Sequence, residues 1–323
     1  MNAARVLALL LSAAGVVVLV LVLKPPPEPE FVELQSSSQC LECHPNVAAE
    51  WRDSWHARAY VDPEVRRLSN DFANEECIAC HAPRPVLHFQ AGERVLARFA
   101  ERDLGVDCLT CHQLPDGSVA TSSPDPPAAP CRPRHSPRLA DVSLCASCHD
   151  QHGTVRQWAA APPELKGEGC LDCHAEPVPR PAGRMGRAHH FPGGHDPDML
   201  RRAVELRAES EAGGRVRVEL ENVGAGHNFP TDERSRAADL QWRERGSDGT
   251  WSAWRHLHRF RDPYRDETDL TNTQLPAGET WRGTVTPEEA GAEVEVRLLY
   301  RTNPFQPDEE ATEVHRVSVA PGG

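Results

Sequence analysis

The chain has 323 residues, enough for about two domains of ordinary size. Only 39% of it is hydrophobic and 6% aromatic, while proline reaches 29 residues, a poor recipe for a large side-chain core. A formal net charge of -13 with no Lys/Arg block excludes the cationic footprint of a nucleic-acid binder; it suits a solvated surface or a neutral or basic partner protein.

The N-terminus reads MNAARVLALLLSAAGVVVLVLVLKPPPEPE, with an apolar run of 18 residues, Val6 to Leu23, between Arg5 and Lys24. The run ends in Leu-Val-Leu-Lys rather than at a small-residue cleavage site. It is about long enough for a bilayer, which predicts an uncleaved signal anchor, a transmembrane helix over residues 1–24, in preference to a long signal peptide. Either way the bulk of the chain is exported. Residues 25–38, from PPPEPE to the serine run, read as a stiff and then flexible linker.

Ten of the eleven cysteines fall into five copies of one pattern. These are Cys40-Leu-Glu-Cys43-His44, Cys77-Ile-Ala-Cys80-His81, Cys108-Leu-Thr-Cys111-His112, Cys145-Ala-Ser-Cys148-His149 and Cys170-Leu-Asp-Cys173-His174. C-x-x-C-H is the attachment signature of c-type haem. Two thiols form thioethers on one edge of the porphyrin, and the adjacent imidazole reaches the iron as proximal ligand. Zinc sites also pair cysteines, but they do not demand a histidine after every second one. A thioredoxin-like motif would occur once beside a βαβ pattern, and a disulfide framework leaves the five histidines unexplained. Five covalent haem c groups are therefore predicted. The motifs start 25 to 37 residues apart, so large apolar rings would replace the missing aliphatic core, wrapped by short helices and Pro-rich loops. Within this region PEVRRLSNDFANEE (63–76) and HFQAGERVLARFAERDL (88–104) look like short helices.

Each iron needs a second axial ligand, for which methionine offers only Met185 and Met199 besides the initiator. Sixteen histidines, five of them in motifs, leave eleven, so bis-histidine coordination is the expected rule. His56, in WRDSWHARAY, lies beside Trp51 and Trp55. His227, in ENVGAGHNFPTD, sits where Gly224 and Gly226 permit close backbone approach and Pro230 stiffens the exit. In RAHHFPGGHDPDML, two of His189, His190 and His195 are expected to bind iron, with His190 and His195 preferred. His135 completes the expected distal set. His152 is too near His149 to reach the opposite face of the same ring, and His88 resembles it in rank. His256, His258 and His315 lie in alternating runs and read as structural, and Cys131 is left without an obvious partner.

From about Met199 the cysteines stop, and runs such as RVRVELENV, AADLQWRER and AEVEVRLLYR alternate apolar and polar residues. Turn signals separate them, so six or seven short strands are expected to form a small antiparallel β-sandwich. The domains are then a pentahaem domain over 39–199 and a β-sandwich over 200–323 whose His227 loop supplies a haem ligand.

The stretches CLECHPNVAAEWRDSWHARAY, GVDCLTCHQL, LCASCHDQHGTVRQW, GCLDCHAEP, RAHHFPGGHDPDML and GAGHNFPTD resemble multihaem cytochromes c of the cytochrome c-554-like group, whose haem packing is shared with hydroxylamine oxidoreductase. The resemblance covers most of residues 38–232. It implies closely paired, mostly bis-histidine haems, with His56 and His227 at positions that supply distal ligands. It also implies electron transfer at the periplasmic side of the inner membrane, with a membrane quinol oxidoreductase or other cytochromes as redox partners. The alternative is a reductase or oxidase of a small nitrogen or sulfur compound at one open haem. The absence of any CxxCK variant and the supply of distal histidines favour a carrier.

Overall fold

The computed structural model describes residues 29–320 except 232, 233, 265 and 290, and without the side chain of Ala182. The expected membrane span over residues 1–24 lies outside the described residues, among which no helix is long and apolar enough to cross a membrane. The second half of the expected linker is docked rather than flexible. Val32 donates to the Pro130 carbonyl, and buried Ser37 accepts the Leu109 N–H at 3.0 Å.

Residues 37–203 form short helical turns joined by loops, with two small ribbons, β1 (Val119–Thr121) with β2 (Pro133–His135) and β3 (Pro177–Arg180) with β4 (Arg184–Arg187). Helix Pro63–Leu68 begins as expected, with Pro63 in the first turn and Asp62 accepting the Glu64 and Val65 N–H groups. It stops early because Asn70, Asp71 and Phe72 all take positive φ. The helix expected over 88–104 does not form. Arg84 and Arg98 bond the Leu96 and Ala82 carbonyls instead, an extended pairing that buries Val95 completely; only Arg102–Leu104 makes a helical turn.

From Val204 the chain is β-structure, as the alternation predicted. Seven strands make two antiparallel sheets: a four-stranded sheet in the order β11-β10-β7-β8 and a three-stranded sheet β5-β6-β9. Their ranges are β5 Val204–Glu211, β6 Arg215–Asn222, β7 Ala237–Arg245, β8 Arg255–Phe260, β9 Thr280–Val285, β10 Glu293–Arg301 and β11 Thr312–Val319. Alternate residues point to opposite faces, so Val216, Val218 and Leu220 of β6 meet Leu240, Val296 and Leu298 from the other sheet in one core.

Candidate cofactor-binding interior

Each C-x-x-C-H copy lies on a single helical turn. Helices Ile78–His81, Cys108–His112, Val142–His149 and Leu171–His174 all end on the motif histidine, and the first motif starts at Cys40, the last residue of the 3₁₀ turn Ser37–Cys40, with the His44 N–H on the Cys40 carbonyl. Residues i, i+3 and i+4 share one helix face, so both thiols and the imidazole project together. The turns that carry motifs one, three and four are capped at their N-termini. Buried Asp107 accepts the Thr110 N–H and hydroxyl at 3.0 and 2.8 Å, and half-buried Arg98 holds its other oxygen at 2.8 Å. Asp141 caps Ser143, and Ser36 closes a capping box with Gln39.

All five motifs open onto one cavity of about 3170 Å³, which every motif cysteine and histidine lines. A single ligand pocket is ordinarily about 300–1,000 Å³, so this interior has room for several large cofactors. The residues fit thioether-bound haem on donor chemistry too. His81, His112 and His174 each place Nδ1 on a backbone carbonyl, those of Ala59, Ala120 and Pro192, at 2.6, 2.9 and 2.7 Å. A ring that donates from Nδ1 presents the Nε2 lone pair to a metal. Burial pushes the His112 and His174 titrations down, which favours the neutral, ligating form.

Across the cavity, non-motif histidines face motif ones. The ring centroids of His56 and His149 are 6.1 Å apart, those of His112 and His189 are 6.2 Å apart, and those of His174 and His227 are 6.3 Å apart. A metal–imidazole bond of about 2 Å, the value for zinc, puts two rings gripping one ion from opposite sides at about this separation. His189 and His227 also place Nδ1 on carbonyls, those of Arg187 at 2.9 Å and Asn228 at 3.0 Å. Burial, with His112 adding to it, brings His189 down to about 4.

His56 is fixed through its backbone. Its carbonyl accepts the Val106 N–H at 2.9 Å, and Trp51 Nε1 donates to the Val106 carbonyl at 2.8 Å. Gly105 allows this approach, since a Cβ there would stand 2.4 Å from the His56 oxygen. The His227 loop is built similarly, its glycines packing against backbone while lining the cavity. A Cβ on Gly224 would meet the Arg202 carbonyl at 2.1 Å, and one on Gly226 would meet that of Leu165 at 2.8 Å. Fully buried Asn222 donates to the His227 and Leu275 carbonyls, while Gln157 and Gln274 bond Asn228.

The remaining histidines fall elsewhere. His189, rather than the preferred His190 and His195, faces His112; adjacent residues diverge, and sequence alone does not say which of them turns inward. His190 lines a small separate cavity beside Cys173 and His174. His195 stacks on Trp55 with centroids 3.6 Å apart, and burial, with Arg236 adding to it, brings it down to about 4. His135 is exposed on β2, and His88 is exposed as well. His152 lines the main cavity. His315 spends Nε2 on the Val204 carbonyl at 2.7 Å, and His258 stacks on Trp281, both structural uses within the β-sheets. Cys131 lines the cavity near the first motif, and burial raises its thiol.

The motifs also touch one another. Cys40 lies beside Cys108, and Cys145 beside Cys170. Cys111 lies close enough to Cys145, and His149 to His174, for their charges to interact. Motifs one, three, four and five thus form a continuous series, and Ala59, three residues after His56, holds the histidine of motif two.

Residues 39–113 match the family model for cytochrome c554 and c-prime. The fold is similar to that of a penta-heme cytochrome c552 from Thermochromatium tepidum, with a TM-score of 0.67 at 18% identity, covering 90% of this chain and 99% of that one. No curated protein matches the sequence.

Proposed function

We propose, from the premise that this chain is a multihaem c-type cytochrome of the c554 kind with covalently bound haem c and a C-terminal β-region, that it is an electron carrier. It would work at the periplasmic face of the inner membrane, held there by the apolar run Val6 to Leu23. Electrons would pass singly between a membrane quinol oxidoreductase or another cytochrome and a soluble or terminal acceptor. Haem supplies reversible one-electron exchange at iron; the chain supplies ligation, spacing and polarity. His44, His81, His112, His149 and His174 are the proximal ligands in this reading. His56, His189 and His227 are the distal ligands opposite His149, His112 and His174.

The observation that carries the reading is the near-equal spacing of three imidazole pairs, each joining one motif histidine to one outside a motif. Both axial positions filled by neutral rings favour outer-sphere electron exchange over substrate binding. The contact series of motifs one, three, four and five supports a relay. EPR and optical spectra of the purified protein test this. Low-spin signals that do not change on adding nitrite, hydroxylamine or nitric oxide are expected, and a high-spin fraction near one haem in five that binds them would replace carrier with enzyme. That second reading attaches to the first motif, where His44 is exposed and belongs to no ring pair among the described residues.

A further inference from the structure

One half-buried ion pair runs to the back of a facing histidine. Arg180 on β3 grips both carboxylate oxygens of Glu50, in helix Pro45–Asp53, at 2.6 and 2.7 Å, with side chains only 13% and 18% exposed. Gly186 on β4 makes room for it, since a Cβ there would stand 2.9 Å from Arg180 Cγ. Both members of the pair continue to His189. Glu50 Oε2 accepts the His189 backbone N–H at 3.0 Å. Arg180 Nη2 donates at 2.5 Å to the Arg187 carbonyl, the same oxygen that His189 Nδ1 contacts at 2.9 Å.

We propose that Glu50 and Arg180 are positioning residues that tune how strongly His189 donates to haem iron, acting through the shared Arg187 carbonyl. This rests on the reading of His189 as the ligand opposite His112. A carbonyl oxygen has two lone pairs and can serve both donors. With a guanidinium drawing on one of them, it is a weaker acceptor for the imidazole N–H. A ring that donates weakly from Nδ1 is less basic at Nε2, because outer hydrogen bonds set ligand basicity. Weaker donation to iron favours the reduced state. Glu50 neutralises the guanidinium and fixes the backbone of the ligand at the same time.

The two substitutions therefore act in opposite directions. Arg180→Gln returns the Arg187 carbonyl to His189 and leaves Glu50 as an uncompensated, half-buried anion beside the ligand, and both effects lower the midpoint potential. Glu50→Gln leaves the guanidinium uncompensated and raises it. Two merely structural residues would move together, each loosening His189 and giving the same partial high-spin signal.

The test is redox titration, followed by optical and EPR spectra, of the full-length haem-loaded protein and of E50Q, R180Q, R180K and the E50Q/R180Q double variant. One haem of the five is expected to shift, down in R180Q and up in E50Q; the double variant, which loses the guanidinium from the Arg187 carbonyl but leaves no lone charge, should lie below the parent and above R180Q, and R180K between parent and R180Q. Shifts of the same sign, or none, overturn the proposal when His189→Ala converts one haem to high spin. If His189→Ala leaves every haem low-spin, the ligand assignment itself fails, and the tuning proposal with it.

Discussion

The two halves of the described chain bury their interiors by different means. In the β-region one cluster runs from Leu200 to Val319 and gathers side chains from both sheets, including Leu220, Leu240, Val296 and Phe260 at 0–1% exposure. In the motif region the side-chain clusters are small: Phe72, Ile78 and Ala82 in one place, and Leu87, Ala120 and Leu139 in another. Around them lies the cavity of about 3170 Å³. The β-region packs itself, whereas the motif region is a set of short helical turns around an open interior and is expected to depend on its rings. A cofactor held by the native state stabilises that state. The largest expected effect follows. When the chain is produced without haem attachment, hydrogen exchange should be fast across residues 37–203 while β6, β7 and β10 stay protected. Equal protection in both halves would show that the motif region folds without cofactor.

The two halves meet at His227, where the β-region hands one imidazole to the other half. His227→Ala is expected to turn one haem high-spin without releasing it, because the thioethers of Cys170 and Cys173 remain. Mass spectrometry should still count five haems while EPR shows the new species. A parent-like spectrum would remove His227 from the ligand set and separate the halves functionally.

The same contrast explains what the sequence made legible. Motif positions were readable because covalent chemistry fixes their spacing: Cys108, Cys111 and His112 must share one face of a turn. The strands were readable because Val216, Val218 and Leu220 alternate with polar residues. His56 and His227 could be singled out by local context, Trp51 beside one and glycines beside the other. His189 could not be separated from His190, because its orientation depends on Glu50, 139 positions away, holding its backbone N–H. The segment 88–104 misled because its apolar residues pair with 82–84 rather than along a helix.

A core substitution tests the self-packed half alone. Leu240 is fully buried between the sheets, so Leu240→Ala is expected to cost about 2–5 kcal/mol. Differential scanning calorimetry should show the β transition lowered while the haem absorption spectrum is unchanged. A matching loss of low-spin signal would mean that the halves unfold as one unit, which would weaken the distinction drawn between them.

The smallest expected effect is a dependence on pH confined to the β-region. Asp239, 1% exposed, pairs with Arg259 and Arg301, each at 2.6 Å, in the four-stranded sheet. Burial pushes its carboxyl up, yet the two guanidiniums outweigh burial and hold it below its ordinary value. A carboxyl depressed in the folded state binds its proton more readily when unfolded. The stability it contributes is therefore complete above the unfolded value of about 3.9, and it is lost as pH falls through the lower folded one. The β melting temperature should be flat with respect to this group from neutral pH down to about 4, then decline. Asp239→Asn should lower the neutral plateau, because it takes the carboxylate from Arg259 and leaves Arg301 with Asp308 alone, and flatten part of the acid decline. The haem region lacks this pair, so its ligand-field spectrum should not follow the same curve; a spectrum that tracks the β transition through the acid limb would show that Asp239 and Arg301 support the His227 seam as well as the sheet.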